Sequence, residues 1–378
     1  MCKRIVYIGF FDFYDSSIQR MYWTSATNKM QYIINVLNRV GYKVDLLSFS
    51  GVTEKSMKYY KPEIKKKDGI NLFLPPSIGE IYSLTRRFNH VFIWLYGLFW
   101  MLRNVASDDV VIAYHSLAYA WLLQIIQKVK RCKVILELEE MYQDVYNLSK
   151  IRARHELEII DKADGYIFAT DLFVEKAKTP NKPYAVIYGT YQVETQRHEK
   201  VEDGFIHVVY AGTFDPRKGG VAAAAAAAFL DGRYHLHILG FGSPEDEKNL
   251  LAEIEKTKKR TDAKITYEGL LKGNQYIEFL QKCHIGLCTQ NPDAAFNMTS
   301  FPSKILSYLS NGLTVVSIDI KAVKKSGVGH CIYYYKEQTP EKIAEAIKSV
   351  TIKDSRPKIA ELDIKFESDL DSLISCLE

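Results

Sequence analysis

The amino-acid sequence predicts an α/β protein of two doubly wound parallel-sheet domains, and three observations predict it. The 378 residues exceed what one hydrophobic core holds comfortably. Short β-branched runs alternate with segments of helical spacing through both halves, the order that builds parallel sheets with crossover helices. Between the halves lies "ETQRHEKVEDG" (194–204), polar, charged and without period, which reads as a linker.

The first half opens with a strand at Lys3–Gly9 and a helical pattern at Thr27–Val40 that ends at Gly41. A second strand follows at Lys43–Phe49, and a third at Asp109–Tyr114 leads into a helix through Lys128. "CKVILELEE" is strand-like, "IRARHELEIIDKA" helical, "DGYIFAT" a strand, and "YAVIYG" closes the half. The second half repeats the alternation. Strands at "FIHVVYAG", "YHLHILGFG", "AKITYEG" and "HIGLCT" are separated by "VAAAAAAAFL" and by helices at Glu245–Lys258 and Asn274–Lys282. The boundaries that result are a first domain at 1–193, the linker at 194–204, a second domain at 205–355 and a C-terminal helix at 356–378. Domains of this kind facing each other leave a cleft, and open α/β sheets bind ligands outside the carboxyl ends of their strands.

Composition excludes several classes. Six cysteines without C-x-x-C spacing argue against a zinc site and a disulfide framework, and fit a reducing cytosol. No run approaches the ~20 apolar residues of a membrane-spanning helix. "MCKRIVYIGFFDFYD" reads as the first strand and its loop, since Asp12 interrupts its apolar run. The net charge of +5 is uneven: residues 1–193 hold 26 Lys/Arg against 19 Asp/Glu, and residues 55–103 hold 9 against 3. Those basic residues form no aromatic-interleaved platform, which argues against nucleic acid. The same segment contains the apolar run Val91–Leu102, either a core helix or a helix that dips into a membrane surface beside basic neighbours.

Two stretches carry chemistry. In "SFPSKILSYLSNGLTVVS" (300–317), Pro302 gives up an amide that a helix start leaves unpaired, and Ser300 or Ser303 can cap its neighbours. Ile305, Leu306, Tyr308 and Leu309 have helical spacing, Asn311-Gly312 stops the helix, and a buried strand follows. A helix start with free amides is an anion site, and Lys304 adds a full charge. In "VVYAGTFDPRKGGVAAAAAAAFL" a strand ends at Gly212, and Lys218-Gly219-Gly220 opens a helix, a second place for phosphate. "GFGSPEDE" (240–247) mimics half a dinucleotide fingerprint, but Pro244 and the acidic run spoil it.

These two stretches resemble the donor domain of family 4 retaining glycosyltransferases, which have the GT-B fold of two Rossmann-like domains. In that family a strand is followed by G-R-L and K-G, whose arginine and lysine grip the nucleotide diphosphate. Gly212, Lys218 and Gly219 match, and Thr213 stands at the arginine position. "PSKILSYLSNGLTVVS" is similar to the variant P-S-K-x-x-E-Y-L-x-x-G-x-x-V-V. On that match the family's two glutamates fall on Thr299 and Ser307, so both carboxylates are missing. "DVVIAYHSLAYAWLL" resembles the segment whose histidine, here His115, lies over the donor sugar. "HELEIIDKADGYIFAT" and "AVIYG" resemble further family segments, and the final helix matches one that crosses back onto the first domain. The glycine pair that often closes over the donor is absent, since Phe10, Phe11 and Asp12 follow Gly9.

The resemblance implies a retaining hexosyltransferase that moves a sugar from a nucleotide-diphosphate donor to a lipid-linked or polysaccharide acceptor, in bacterial cell-surface polysaccharide assembly. The nucleotide sugar is a co-substrate, and neither a resident cofactor nor a metal is expected. Donor-binding residues are then Gly212, Thr213, Lys218, Gly219, Thr299, Ser300, Ser303, Lys304 and Ser307. His115 is the catalytic candidate, hydrogen-bonded to the donor sugar in the transition state. Glu137 and Glu139 share a strand face and Glu140 begins a loop, and all three are expected as rim charges or acceptor contacts. Residues 55–103 are expected on the inner face of the plasma membrane of a cytoplasmic protein. Two other readings stay open: a non-catalytic GT-B scaffold that stabilises a partner transferase, and a nucleotide-sugar epimerase.

Overall fold

A computed structural model of the protein describes residues 3–80, 82–177, 181–292 and 300–378. The chain divides into two compact units: Met1–Ala169, Phe173–Thr190 and Lys365–Glu378 form the first, and Thr170–Leu172 with Tyr191–Ile364 the second.

The first unit runs β1 (Arg4–Gly9), α1 (Thr24–Arg39), β2 (Lys43–Ser48), β3 (Tyr59–Tyr60), β4 (Glu63–Lys67), β5 (Ile70–Leu74), β6 (Ser77–Ile78) and α2 (Ser83–Asn104). It continues with β7 (Val110–Tyr114), α3 (Ala120–Lys130), β8 (Lys133–Leu138), α4 (Tyr142–Val145), α5 (Lys150–Lys162), β9 (Gly165–Phe168), α6 (Leu172–Lys176) and β10 (Tyr184–Val186). Its main sheet has the order β10-β9-β8-β7-β1-β2-β5-β4, parallel except for the β4–β5 pair. Strands β1, β7 and β8 are buried on both faces, as a parallel sheet covered by helices on each side requires. The β4–β5 hairpin turns on Asp68 (φ 51) and Gly69 (φ 75), an Asp-Gly turn whose twist matches its strands.

Helix α2 departs from a simple core helix. Ile93, Trp100 and Met101 are buried in the core, but Phe88, Val91, Phe92, Leu95, Phe99 and Leu102 are exposed. At 3.6 residues per turn these six fall in one sector about 100° wide. The apolar run is therefore two faces, one packed on the sheet and one turned outward.

The second unit runs β11 (Ile206–Thr213), a 3₁₀ turn (Pro216–Lys218), α7 (Gly220–Ala226), β12 (Tyr234–Phe241), α8 (Pro244–Lys258), β13 (Lys264–Gly269), α9 (Gly273–Lys282) and β14 (Ile285–Cys288). It ends with α10 (Ser303–Ser310), β15 (Thr314–Ile318), α11 (Lys321–Lys325), β16 (Ile332–Tyr335), α12 (Pro340–Lys348) and α13 (Arg356–Ser375). Its sheet, β13-β12-β11-β14-β15-β16, is parallel throughout. The buried Ala223, Ala224 and Ala226 let α7 lie close to its neighbours. Residues 194–204 carry no helix or strand and lie against the second unit, where the His198 amide donates to Gln281 Oε1 at 2.8 Å and the Lys200 ammonium to the Cys283 carbonyl. From Lys365 onward α13 belongs with the first unit, where Phe366 stacks on Tyr32 and Arg39 pairs with Glu367 at 2.6 Å.

Candidate functional site

The second unit offers a cation-lined site at the carboxyl end of β11. The loop after the strand is held from below: the Tyr210 hydroxyl donates to the carbonyls of Thr213 (2.9 Å) and Lys218 (3.1 Å). Gly219 takes φ 80, and a Cβ there would stand 1.7 Å from the Thr289 carbonyl oxygen, so only glycine fits. This holds Lys218 at the start of α7, half-buried, and burial lowers its pKa.

Lys304, on the first turn of α10, reaches the same place from the other side of the sequence. Its ammonium lies 3.9 Å from the centroid of the Tyr210 ring, and a Cβ on Gly212 would come within 2.9 Å of it. Gly212 is thus the close approach that lets the lysine in. The ammonium is buried and has no hydrogen-bond partner among the described residues. Burial pushes its pKa down to about 8; the Cys288 thiol opposes this, and the charge of Lys218 adds to it. A buried ammonium without a partner is costly, and a cation–π contact offsets only part of that. The buried Lys304 ammonium, with the charge of Lys218 acting on it, therefore defines a place for an anion.

The remaining predicted donor residues sort around this pair. Thr213 ends β11, and Ser303 is exposed at the start of α10. Pro302 holds the N-cap position of α10 and offers no side-chain cap, and Ser303 is already the first residue of the helix. Ser300 lies half-buried before it, and Thr299 lies outside the described residues. Ser307 sits one turn on from Lys304, its hydroxyl 3.2 Å from the Tyr276 hydroxyl. Ser307 and Tyr276 thus form a neutral hydroxyl pair beside α10. The "GFGSPEDE" stretch forms the end of β12 and a Ser243-capped start of α8 with Glu245, Asp246 and Glu247 in its first turn, which is hostile to an anion.

In the first unit, His115 directly follows β7. Its ring is buried, stacked on Tyr142 with centroids 4.8 Å apart. Nδ1 lies 3.1 Å from the Glu140 carbonyl, which only accepts, so Nδ1 carries the proton of the neutral ring. Nε2 has no hydrogen-bond partner among the described residues and lies 3.6 Å from Glu156 Oε1. Burial lowers the His115 pKa to about 4. Glu137 is corrected from a rim charge to a buried group: β8 is covered on both faces to its carboxyl end, and there the Tyr7 hydroxyl donates to it. Burial, then the Glu139 charge, raises its pKa. Glu139 pairs instead with Lys29, whose ammonium also donates to the Ile187 carbonyl at 2.9 Å. In the loop after β1, Phe10 packs on Tyr119 and Trp23, and buried Asp12 pairs with Lys65 at 2.9 Å.

Residues 206–352, from β11 to just past α12, match the family described as Glycosyl transferases group 1. The E. coli trehalose-6-phosphate structure bound with UDP-2-fluoro glucose superposes with a TM-score of 0.66 at 11% identity, over 99% of both chains. The fold is GT-B-like. The lipopolysaccharide outer core galactosyltransferase WaaB in its apo form gives a TM-score of 0.65 at 15% identity, over 99% of both chains. HepE from Anabaena in complex with UDP gives 0.62 at 11% identity, over 99% of this chain and 100% of that one. At these identities the likeness speaks for the GT-B-like fold. No curated protein matches the chain.

Proposed function

We propose that the protein is a glycosyltransferase, with the diphosphate of a nucleotide-sugar donor held on the second unit. One observation carries this reading: the buried Lys304 ammonium beside Gly212, without a hydrogen-bond partner among the described residues and with Lys218 close enough to depress its pKa. A phosphate there would give the Lys304 ammonium a charged partner. It would also meet the α10 start, where the N-cap residue Pro302 supplies no side-chain cap. The family match over this unit and the nucleotide ligands of two structural neighbours point the same way.

In this reading the acceptor oxygen bonds to the sugar's anomeric carbon as the bond to the diphosphate breaks. The acceptor's proton passes to the departing phosphate oxygen, and nucleoside diphosphate leaves. Attack and departure on one face give retention, and with Thr299 and Ser307 in place of two glutamates the departing phosphate is the base at hand. Lys218, Lys304 and the helix amides neutralise the leaving group, so the reading needs no added metal. On the first unit, His115 keeps Nε2 without a hydrogen-bond partner among the described residues, able to accept one bond from a sugar hydroxyl.

The acceptor is read as lipid-linked, presented at an anionic membrane surface on the cytoplasmic side. The outward stripe of α2 supports this, together with exposed Arg86, Arg87, His90 and Arg103 on the same helix and no acidic residue from 82 to 107. No helix of the described residues is long and apolar enough to cross a membrane, so docking here would be peripheral. Lys65 and Lys67 contribute little, since they pair with Asp12 and Asp15. Calorimetry tests the donor assignment: a nucleoside diphosphate should bind at least about tenfold more tightly than its nucleoside. Equal affinities would overturn it.

A further inference from the structure

At the amino ends of the second unit's strands, away from Lys304, the sheet buries histidines where apolar side chains are the rule. His207 is the second residue of β11, and His235 and His237 are the second and fourth of β12. His207 pairs in register with His235, and alternation puts His235 and His237 on one face. Ring centroids are 3.8 Å apart for His235 and His237, 5.1 Å for His207 and His237, and 5.3 Å for His207 and His235. One ring nitrogen from each lies within 4.8 Å of one from the other two, and none of the three residues is more than 6% exposed.

What surrounds the rings is more telling than their number. His207 Nε2 lies 2.9 Å from Asp203 Oδ1, and His237 Nδ1 lies 2.7 Å from Glu268 Oε1. Their other nitrogens, His207 Nδ1 and His237 Nε2, face each other at 2.8 Å. His235 Nε2 lies 3.0 Å from Thr266 Oγ1, whose hydroxyl also serves Glu268. Metal-ligating imidazoles commonly have one nitrogen on the ion and the other on a carboxylate or hydroxyl that fixes the ring and raises its basicity. We propose that His207, His235 and His237 bind a divalent transition-metal ion of the zinc class, oriented by Asp203 and Glu268.

The geometry is close to what such an ion needs. Metal–nitrogen bonds of 2.0–2.1 Å in a tetrahedron place ligand nitrogens about 3.3 Å apart, so His207 and His237 need part by about half an ångström, and the three nitrogens, now within 4.8 Å of one another, close in by up to about 1.5 Å. Three imidazoles leave a fourth position for water. Phe279 packs edge-on to His237 and Phe205 edge-on to His235, which gives the site apolar walls. Lys264, in register with His235, opposes a cation, and the two carboxylates offset it. The five-residue strand path from His207 to Gly212 is about 17 Å long, so the ion would brace the sheet and take no part in chemistry at Lys304.

The test uses untagged full-length protein stripped with chelator and then titrated with Co²⁺. The expected result is one Co²⁺ per chain with visible d–d absorption, displaced by Zn²⁺, and a melting temperature raised by Zn²⁺. His237→Gln should abolish the absorption while its far-UV circular dichroism stays that of the parent. Should that variant not fold, Glu268→Gln, which alters a half-buried orienting carboxylate, should weaken Co²⁺ binding by about 10–100-fold. Absence of d–d absorption in the parent, or unchanged Co²⁺ affinity in Glu268→Gln, would overturn the proposal.

Discussion

Replacing Lys304 by methionine should make the unliganded protein more stable and a worse nucleotide binder. Methionine keeps the length of the stem and removes the charge. In the parent, burial holds the ammonium at about 8 against an ordinary 10.5. That gap corresponds to roughly 3 kcal/mol of stability withheld at neutral pH, an upper figure. The sign follows from proton binding. Between about pH 8 and 10.5 the unfolded chain binds the proton and the folded chain does not, so parent stability rises with pH across that window and levels off at its lower value below about 8. The variant should lack this component of the rise, and at neutral pH its melting temperature should be higher by about 5 °C or more. Nucleoside diphosphate affinity should drop by about 10–100-fold, since a hydrogen bond to a charged group contributes about 1.5–3 kcal/mol. Thermal melts across pH and calorimetry read the two effects. A variant that is less stable than the parent, or that binds nucleotide unchanged, would refute the reasoning.

Four further outcomes follow from the same geometry. Lys218→Ala should weaken nucleoside diphosphate binding at least about tenfold by calorimetry, through loss of a charge-assisted contact. Gly219→Ala places a Cβ 1.7 Å from the Thr289 carbonyl oxygen at positive φ, and denaturation should show a loss of about 1–3 kcal/mol. Glu137 has a raised folded-state pKa, so its contribution is complete below the ordinary carboxylate range and fades as pH rises through the raised value; melts of Glu137→Gln should lack that alkaline loss. Leu95→Ser with Phe99→Ser should cut sedimentation with anionic liposomes at least about tenfold, because each side chain contributes about 1.5–3 kcal/mol on burial. Binding that ignores this double change and lipid charge would remove the membrane reading.

The two sheets were legible because their signal is local. Runs such as "VVIAY" and "TVVSI" are continuous because both faces of those strands are covered. The β4–β5 hairpin was missed although "KKKDGINLFL" contains an Asp-Gly turn, since its edge strand is charged rather than apolar. The basic excess of residues 55–103 is smaller in the fold than in the sequence, because Asp12 and Asp15, from the loop after β1, neutralise Lys65 and Lys67. Lys304 could be read as a phosphate ligand from its place before a helix. Its burial against Tyr210 and Gly212 belongs to the tertiary fold and leaves no local trace. The histidines were visible as "HLH" with period two, but their carboxylates arrive from Asp203 and Glu268, outside that strand. Glu137 reads as a rim charge because the sequence does not show that a buried Tyr7 hydroxyl meets the carboxyl end of β8.

The central claim is sugar transfer, and turnover tests it most directly. The purified protein is incubated with a panel of nucleotide sugars and lipid-linked or glycan acceptors without added metal, and released nucleoside diphosphate is followed beside the glycosylated product. The account predicts that at least one donor yields both in equal amounts, and that Lys304→Met abolishes the release. Nucleotide binding without turnover across the panel would contradict it and leave a non-catalytic scaffold in its place.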